Sequence, residues 1–477
     1  MRASHVSAIG AAAAAALALP LGLPLPSAAS APAAPRPAAV ADDDGTVPGS
    51  TRSLPLTRLD TARSADPDAG PAAQGLLRRD VEPFSLVGVV WDDPAAELRG
   101  TVQVRTRSAA TREWSPWQDL ENHHHDHGAD PGTPEGTSTT LRGSTAPLWV
   151  GASDGVEVRV RPDKPAQAAD GTDAPVTLPR GLRVELVDPG DEPPGGAQDQ
   201  DRDQDRDDDR DRDESPGQGR EGPPADPDRG AGAALSDEES VVSEVNGDMA
   251  ALGAPEIREL SKADTEASAP GHAKPYIGPR PRIVTRKGWG ADEGLREPGF
   301  VYTKSVQAAF VHHSATGNNY TCAQASSVLR SIYRYHVRSM GWRDIGYNFA
   351  IDKCGNIYEG RAGGVARPVQ GAHTLGFNTN TTGIAVLGSF GTGTPPAAAV
   401  TAVARLTAWK LGLYGKDPRV RTTLTSGGGN LYKKGTKVQL NVISGHRDGY
   451  NTECPGTSLY SKLGTARSAA ADYQGRP

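Results

Sequence analysis

VQAAFVHHSAT, residues 306–316, is the stretch on which the fold turns: an apolar run that enters a pair of histidines. It reads as a buried strand ending at His312 and His313. Working outward, CAQASSVLRSIYRYHVRSMGW (322–342) places Val328, Leu329, Ile332, His336 and Val337 at helical spacing. GYNFAID (346–352) and NIYEGR (356–361) alternate around Lys353-Cys354-Gly355, which predicts a strand–turn–strand hairpin. TGIAVLGSF (382–390) predicts a further apolar strand, and Thr394-Pro395 a helix start, with Thr as cap and Pro at the first helical position. AVTAVARLTAWKLGLYG continues that helix, and NVISGH (441–446) is one more strand that ends at a histidine. Strands interleaved with helices imply an α/β domain, a mixed central sheet flanked by helices.

Two predicted strands therefore end at His312 and His446, and the loop GHRDGYNTECPG (445–456) adds Cys454. This loop is too rich in Gly and Pro for a helix, yet it holds one of only 3 cysteines in the chain. Two imidazoles and a thiol at strand ends suit a catalytic zinc, which takes three protein ligands and keeps a position open for water. A histidine at a strand end is as a rule structural, so spacing alone leaves both readings standing.

The chain has 477 residues, too many for one ordinary domain, so two folded units with connectors are expected. A hydrophobic fraction of 36% with 56 Gly and 39 Pro is low for a fully folded chain and predicts disordered stretches. The net charge of −7 argues against a nucleic-acid partner, which calls for a basic stripe. Residues 1–31 have Arg2, an Ala/Leu run and then small residues, the layout of a secretory signal peptide. Pro20, Pro24 and Pro26 cut the run short of a membrane span, so export without stable membrane insertion is expected, with a secreted or wall-associated monomer as the product.

Residues 32–80 lack a sustained period and are expected to be disordered. Over 81–188, runs such as VEVRVRP (156–162) alternate with period two between turn-rich spacers, the pattern of a β-sandwich-like domain. Its Trp91, Trp114 and Trp117 read as core packing, with sugar stacking as the alternative, which would make this a carbohydrate- or wall-binding unit. ENHHHDHG, with His123, His124, His125 and His127, has a metal-binding look but reads as an exposed insertion in a Gly/Asp-rich loop. Residues 189–275 include QDQDRDQDRDDDRDRDESP and are expected to form a disordered, charged linker ahead of the α/β domain at 276–470.

Over residues 281–465 the chain resembles the peptidoglycan recognition protein and type 2 N-acetylmuramoyl-L-alanine amidase family. IVTRKGWGA, VHHSAT, GWRDIGYNFAID, NIYEGR, GAHTLGFNTNTTGIAVLG and GHRDGYNTECPG occur here in the family's order. The resemblance implies Zn²⁺ held by His312, His446 and Cys454. It implies Tyr347 as a catalytic tyrosine, Thr452 at a second catalytic position, and Arg361, His373 and Asn378 along a groove for peptidoglycan (MurNAc-peptide). Family members often carry an aromatic after the EGR triplet, where this chain has Ala362-Gly363-Gly364. The implied activity is hydrolysis of the bond between N-acetylmuramic acid and L-alanine. Members that bind muropeptides without cutting them are the alternative, and those usually lack the cysteine ligand. With Cys454 assigned to zinc, the remaining pair Cys322 and Cys354 reads as a disulfide in an oxidising compartment, with a second thiol ligand as the other option.

Overall fold

The computed structural model describes residues 49–59, 73–122, 127–164, 176–192 and 235–477. The expected leader at 1–31, residues 32–48 and 60–72, His123, His124 and His125, and the linker stretch 193–234 lie outside the described residues. No helix among the described residues is long and apolar enough to cross a membrane.

The first part of the chain is all β: β1 (Ser50–Pro55), β2 (Thr57–Arg58), β3 (Gln74–Trp91), β4 (Gly100–Ser108), β5 (Gln118–Leu120), β6 (Gly143–Ser144), β7 (Leu148–Pro162) and β8 (Arg183–Asp188). They form one antiparallel sheet in the order β1-β8-β3-β7-β4-β5, with β2 and β6 also against β3. This is the β-sandwich-like domain, its strands linked through the long, irregular β3–β7 ladder. Val156, Val158 and Val160 are buried while Glu157, Arg159 and Arg161 alternate outward, as a half-buried strand requires. Of the three tryptophans, Trp91 lies in the core. Trp114 and Trp117 are half-buried on the other face, where Arg105 sits 5.7 Å from one ring and 4.8 Å from the other. Arg159 covers Trp117 from 4.1 Å and Arg78 covers Trp114 from 5.1 Å. The guanidiniums stack on the rings by cation–π attraction, so these two tryptophans are neither core residues nor bare platforms.

The stretch expected to be disordered up to residue 80 contains β1, β2 and the start of β3. Its residues pair along whole strands, Ser50 with Asp188 through Pro55 with Arg183. Backbone pairing, rather than an apolar period, orders it. The expected linker likewise ends early. After residue 235 come α1 (Asp237–Glu244), β9 (Glu256–Ile257) and α2 (Lys262–Ser268). Ser236 and Glu239 close a capping box on α1, and Asn246 donates to Glu359 at 2.9 Å in the buried interior.

The α/β domain then runs β10 (Ile283–Val284), β11 (Ala308–His313), α3 (Ala325–Arg334), β12 (Phe349–Ile351), β13 (Ile357–Glu359), β14 (Thr381–Val386), α4 (Ala397–Gly412), β15 (Arg421–Thr425), β16 (Lys437–Asn441), β17 (Ile443–Gly445), α5 (Thr457–Tyr460) and α6 (Leu463–Gln474). Its mixed sheet has the order β17-β11-β14-β12-β13-β10-β9, with β11 parallel to both neighbours. All six residues of β11 are buried, as expected of a central parallel strand covered on both faces. Ala309, Val311, Ile384 and Val386 share a core with α4 and α6. The α4 helix starts at Ala397, two residues beyond the predicted start, because Pro396 holds Pro395 out of the helical region and takes the N-cap position without a side-chain cap. The opposite face carries α3, whose Leu329 and Ile332 share a buried cluster with Leu86, Val90 and Trp149 of the β-rich domain. Cys322 and Cys354 form a disulfide from the foot of α3 to the β12–β13 turn.

Candidate metal centre

The register of β11 against β17 sets two histidines side by side. Phe310 pairs with Ser444 and Val311 with Gly445, so the next residues along are His312 and His446. Their ring centroids lie 4.5 Å apart. Because side chains alternate along a strand, Val311 points into the core under α4 and α6 and His312 points the other way. Beyond β17 the chain doubles back. The Arg447 N–H donates to the Cys454 carbonyl at 3.0 Å, and the Cys454 N–H donates to Thr452 Oγ1 at 3.1 Å. That turn brings Cys454 Sγ to 3.8 Å from His312 Nδ1.

A fourth residue joins them from the β-rich domain. The donor atoms of His127, His312, His446 and Cys454 all lie within 4.8 Å of one another, and all four residues are buried. The His127 ring centroid is 4.5 Å from that of His446 and 5.2 Å from that of His312. The expectation of an exposed histidine insertion is therefore wrong for His127, which is only 7% exposed. Its loop lies against the α/β domain, which supplies the cover that the loop's own polar sequence lacks.

His312 is held from behind. Its Nε2 faces His373 Nδ1 at 3.3 Å and Thr374 Oγ1 at 3.4 Å, which leaves Nδ1 on the Cys454 side. Such partners on the second nitrogen orient a ligating imidazole. Burial first, then the neighbouring His446 and His127, holds the pKa of His312 well below the usual histidine range, and the same causes act on His373. The neutral imidazole is the form that binds metal. Closely spaced, buried imidazoles with a thiol are borderline-to-soft donors, a set that fits Zn²⁺.

Tyr347 is buried beside the cluster, its ring 5.5 Å from that of His312 and 5.7 Å from that of His127. Its carbonyl accepts from the Arg361 N–H at 2.8 Å, next to the β12–β13 hairpin. Thr452 is half-buried at the edge of a cavity of about 360 Å³ that both domains line, with Glu121, Asn122 and His127 on one side and His313 and Cys454 on the other.

The three expected groove residues fare differently. His373 is fully buried beneath His312 and touches that ring rather than a groove. Arg361 donates through both terminal nitrogens to Glu135, each at 2.8 Å. Burial pushes the Glu135 carboxyl up, but the Arg361 guanidinium outweighs it and holds the pKa below the usual range. Asn378 donates to the Gly128 carbonyl at 2.8 Å and to Asp130 Oδ1 at 2.7 Å, while its own oxygen accepts from the His373 and Thr374 N–H groups. Segment 127–142, between β5 and β6, thus engages two of the three. Asp130 and Glu135 are partners that the sequence did not single out. Asp130 also accepts from the Gly376 N–H at 2.9 Å, and burial raises its pKa in spite of these hydrogen bonds.

Comparison with known proteins agrees with this architecture. Residues 35–178 match a family described as Rv3811 N-terminal galactose-binding domain-like, and residues 302–457 match the N-acetylmuramoyl-L-alanine amidase family. Peptidoglycan-recognition protein SC2 of Drosophila simulans is 33% identical over 185 residues, which span 38% of this chain and 85% of that protein. The N-acetylmuramoyl-L-alanine amidase of Homo sapiens is 30% identical over 201 residues, 41% of this chain but only 30% of that protein. The solved structure of wild-type Drosophila PGRP-LB is 27% identical, with a TM-score of 0.31, and covers 39% of this chain and 93% of that one. The chain belongs to the peptidoglycan recognition protein and type 2 N-acetylmuramoyl-L-alanine amidase family.

Proposed function

We propose that the chain is a secreted, zinc-dependent N-acetylmuramoyl-L-alanine amidase that cuts the amide between the lactyl group of N-acetylmuramic acid and L-alanine of the stem peptide. The observation that carries this reading is the approach of His312, His446 and Cys454 within 4.8 Å of one another, in a family whose function is peptidoglycan-directed amide hydrolysis or binding. The thiol of Cys454 favours hydrolysis over recognition alone, since a metal is needed for the first and not for the second. Held by these three residues, zinc would supply Lewis acidity, polarising a carbonyl and lowering the pKa of bound water towards neutrality.

The chain's own groups do the rest. The Cys454 thiolate offsets one of the ion's two charges and leaves the site cationic. His373 and Thr374 fix the orientation of the His312 ring. The Tyr347 hydroxyl is the donor for the oxygen that gains charge as the amide is attacked, a contribution worth about 3 kcal/mol in comparable sites. Thr452 adds a neutral hydroxyl at the cavity edge. Arg361 and Asn378 supply a cation and an amide for the carboxylates and peptide groups of the stem. The apolar stretch within residues 1–31 supports export to the wall, where this substrate lies.

Purified full-length protein incubated with defined muropeptides tests the reading. Chelator-sensitive release of free N-acetylmuramic acid and an intact peptide that begins with L-alanine is expected. Binding without any release, in zinc-supplemented buffer, would leave a recognition protein instead. A peptide product lacking L-alanine would mark a peptidase.

A further inference from the structure

The cluster contains one more ligand than an open catalytic site needs. Catalytic zinc keeps a position free for water, whereas sites closed by four protein ligands are structural. Here the α/β domain provides three donors and His127, from the β-rich domain, provides the fourth. His127 does not reach the cluster alone. The segment that follows it is fastened by Gly128 and Asp130 to Asn378, by Asp130 to the Gly376 N–H, and by Glu135 to Arg361. Glu135 also accepts from the Arg343 N–H at 3.2 Å, and the Arg142 N–H donates to the Met340 carbonyl at 3.1 Å.

We propose that the chain folds in a latent state, with His127 as a detachable fourth zinc ligand and segment 127–142 seated on the residues that would bind the stem peptide. This rests on the zinc-amidase reading above. The chemistry of the segment suits the task. Asp130 and Glu135 present carboxylates to Asn378 and Arg361, the same kind of group that the acidic stem peptide offers them. Substrate and segment therefore compete for one set of partners, and water competes with His127 for one position. Turnover requires the segment to leave. The two domains lie on one chain, so the blocking segment is always present at high effective concentration and no separate inhibitor is needed.

The test uses full-length protein loaded with Co²⁺ or Zn²⁺, as wild type and as His127→Ala. The variant is expected to keep one metal per chain and to change the visible Co²⁺ absorption as a nitrogen ligand is lost. It should give up metal to a chelator at least about tenfold faster, the lower end of what loss of even an outer partner does. Its hydrolysis of muropeptide should rise by a similar factor. Asp130→Asn, which loosens the segment without touching the cluster, should move release and hydrolysis the same way by a smaller amount. It also stands in should His127→Ala not melt as a folded protein. Superimposable Co²⁺ spectra and release rates for wild type and His127→Ala overturn the proposal whatever the activities. Equal hydrolysis by wild type and His127→Ala overturns latency even where the spectra differ. A changed spectrum with no cleavage by either chain retains His127 as a ligand and discards the amidase reading, so the two failures look different.

Discussion

At the scale of single residues, the proposed function gives Cys454 and Tyr347 two different roles that activity alone would merge. Cys454→Ser removes a soft donor from the cluster and should weaken metal binding by more than about tenfold, with hydrolysis falling in step and the β-rich domain still folded. Metal analysis beside a melting curve checks both halves. Tyr347→Phe removes only a hydroxyl. It should leave metal content at one per chain and lower kcat by about 10²–10³, the loss seen when one oxyanion donor is deleted. The legibility of these positions differed for a physical reason. His312, His446 and Cys454 sit at strand ends or in a stiff Gly/Pro loop, where a polar residue after an apolar run stands out. His127 could not be paired with them from sequence, because its position depends on how two domains pack. The one signal it gave was the histidine run of ENHHHDHG, which reads more readily as a solvated loop. His373 and His312 show the converse: both lie in recognisable motifs, but only the structure puts one ring behind the other.

At the scale of elements, α4 carries an unusual load. Lys410, in its last turn, is fully buried, and its ammonium donates to the carbonyls of Val365 and Arg367 at 2.6 and 2.7 Å. Burial pulls its pKa down to about 7 from the 10.5 of an exposed lysine. Between those values the unfolded chain binds the extra proton, so stability from this group is lost as pH falls towards about 7 and gained as pH rises towards 10.5. The slope is at most about 1.4 kcal/mol per pH unit. Melting curves between pH 7 and 9.5 should show the rise in wild type and a flatter line in Lys410→Met. Elements that rest on local rules were readable in advance: the period of α3, the hairpin of β12 and β13, and the alternation of β7. The misses follow from partners distant in sequence. Strand β1 has a poor period of its own and exists because β8 offers it a ladder, while β9 is ordered against β10 although its surroundings read as linker. Helix α1 does carry a local signal, since Ser236 and Glu239 spell a capping box.

At the scale of the whole molecule, the two domains are held by a shared core as well as by segment 127–142. Gly88, in β3, lies against Tyr335 so closely that an added Cβ would stand 2.4 Å from the tyrosine hydroxyl. That hydroxyl donates to the Thr145 carbonyl at 3.1 Å, across the same junction. Gly88→Ala should therefore destabilise the chain by about 1–3 kcal/mol, the usual range for overpacking, as read from a lower midpoint in denaturant. The α/β domain produced without its β-rich partner would expose the apolar face of α3 that Leu86, Val90 and Trp149 now cover. The parallel placement of β11 between β14 and β17 has a consequence for the order of assembly. Ala309 must find Ile443, far along the chain, before His312 and His446 can meet, and such long-range parallel pairing is slow because its loop-closure entropy is lost before the contacts form. On the proposed zinc reading, metal capture would therefore be a closing step rather than a seed. A nascent chain that has not yet delivered its last strand holds scattered imidazoles and no site, so the appearance of tight metal binding during refolding should mark the end of the process.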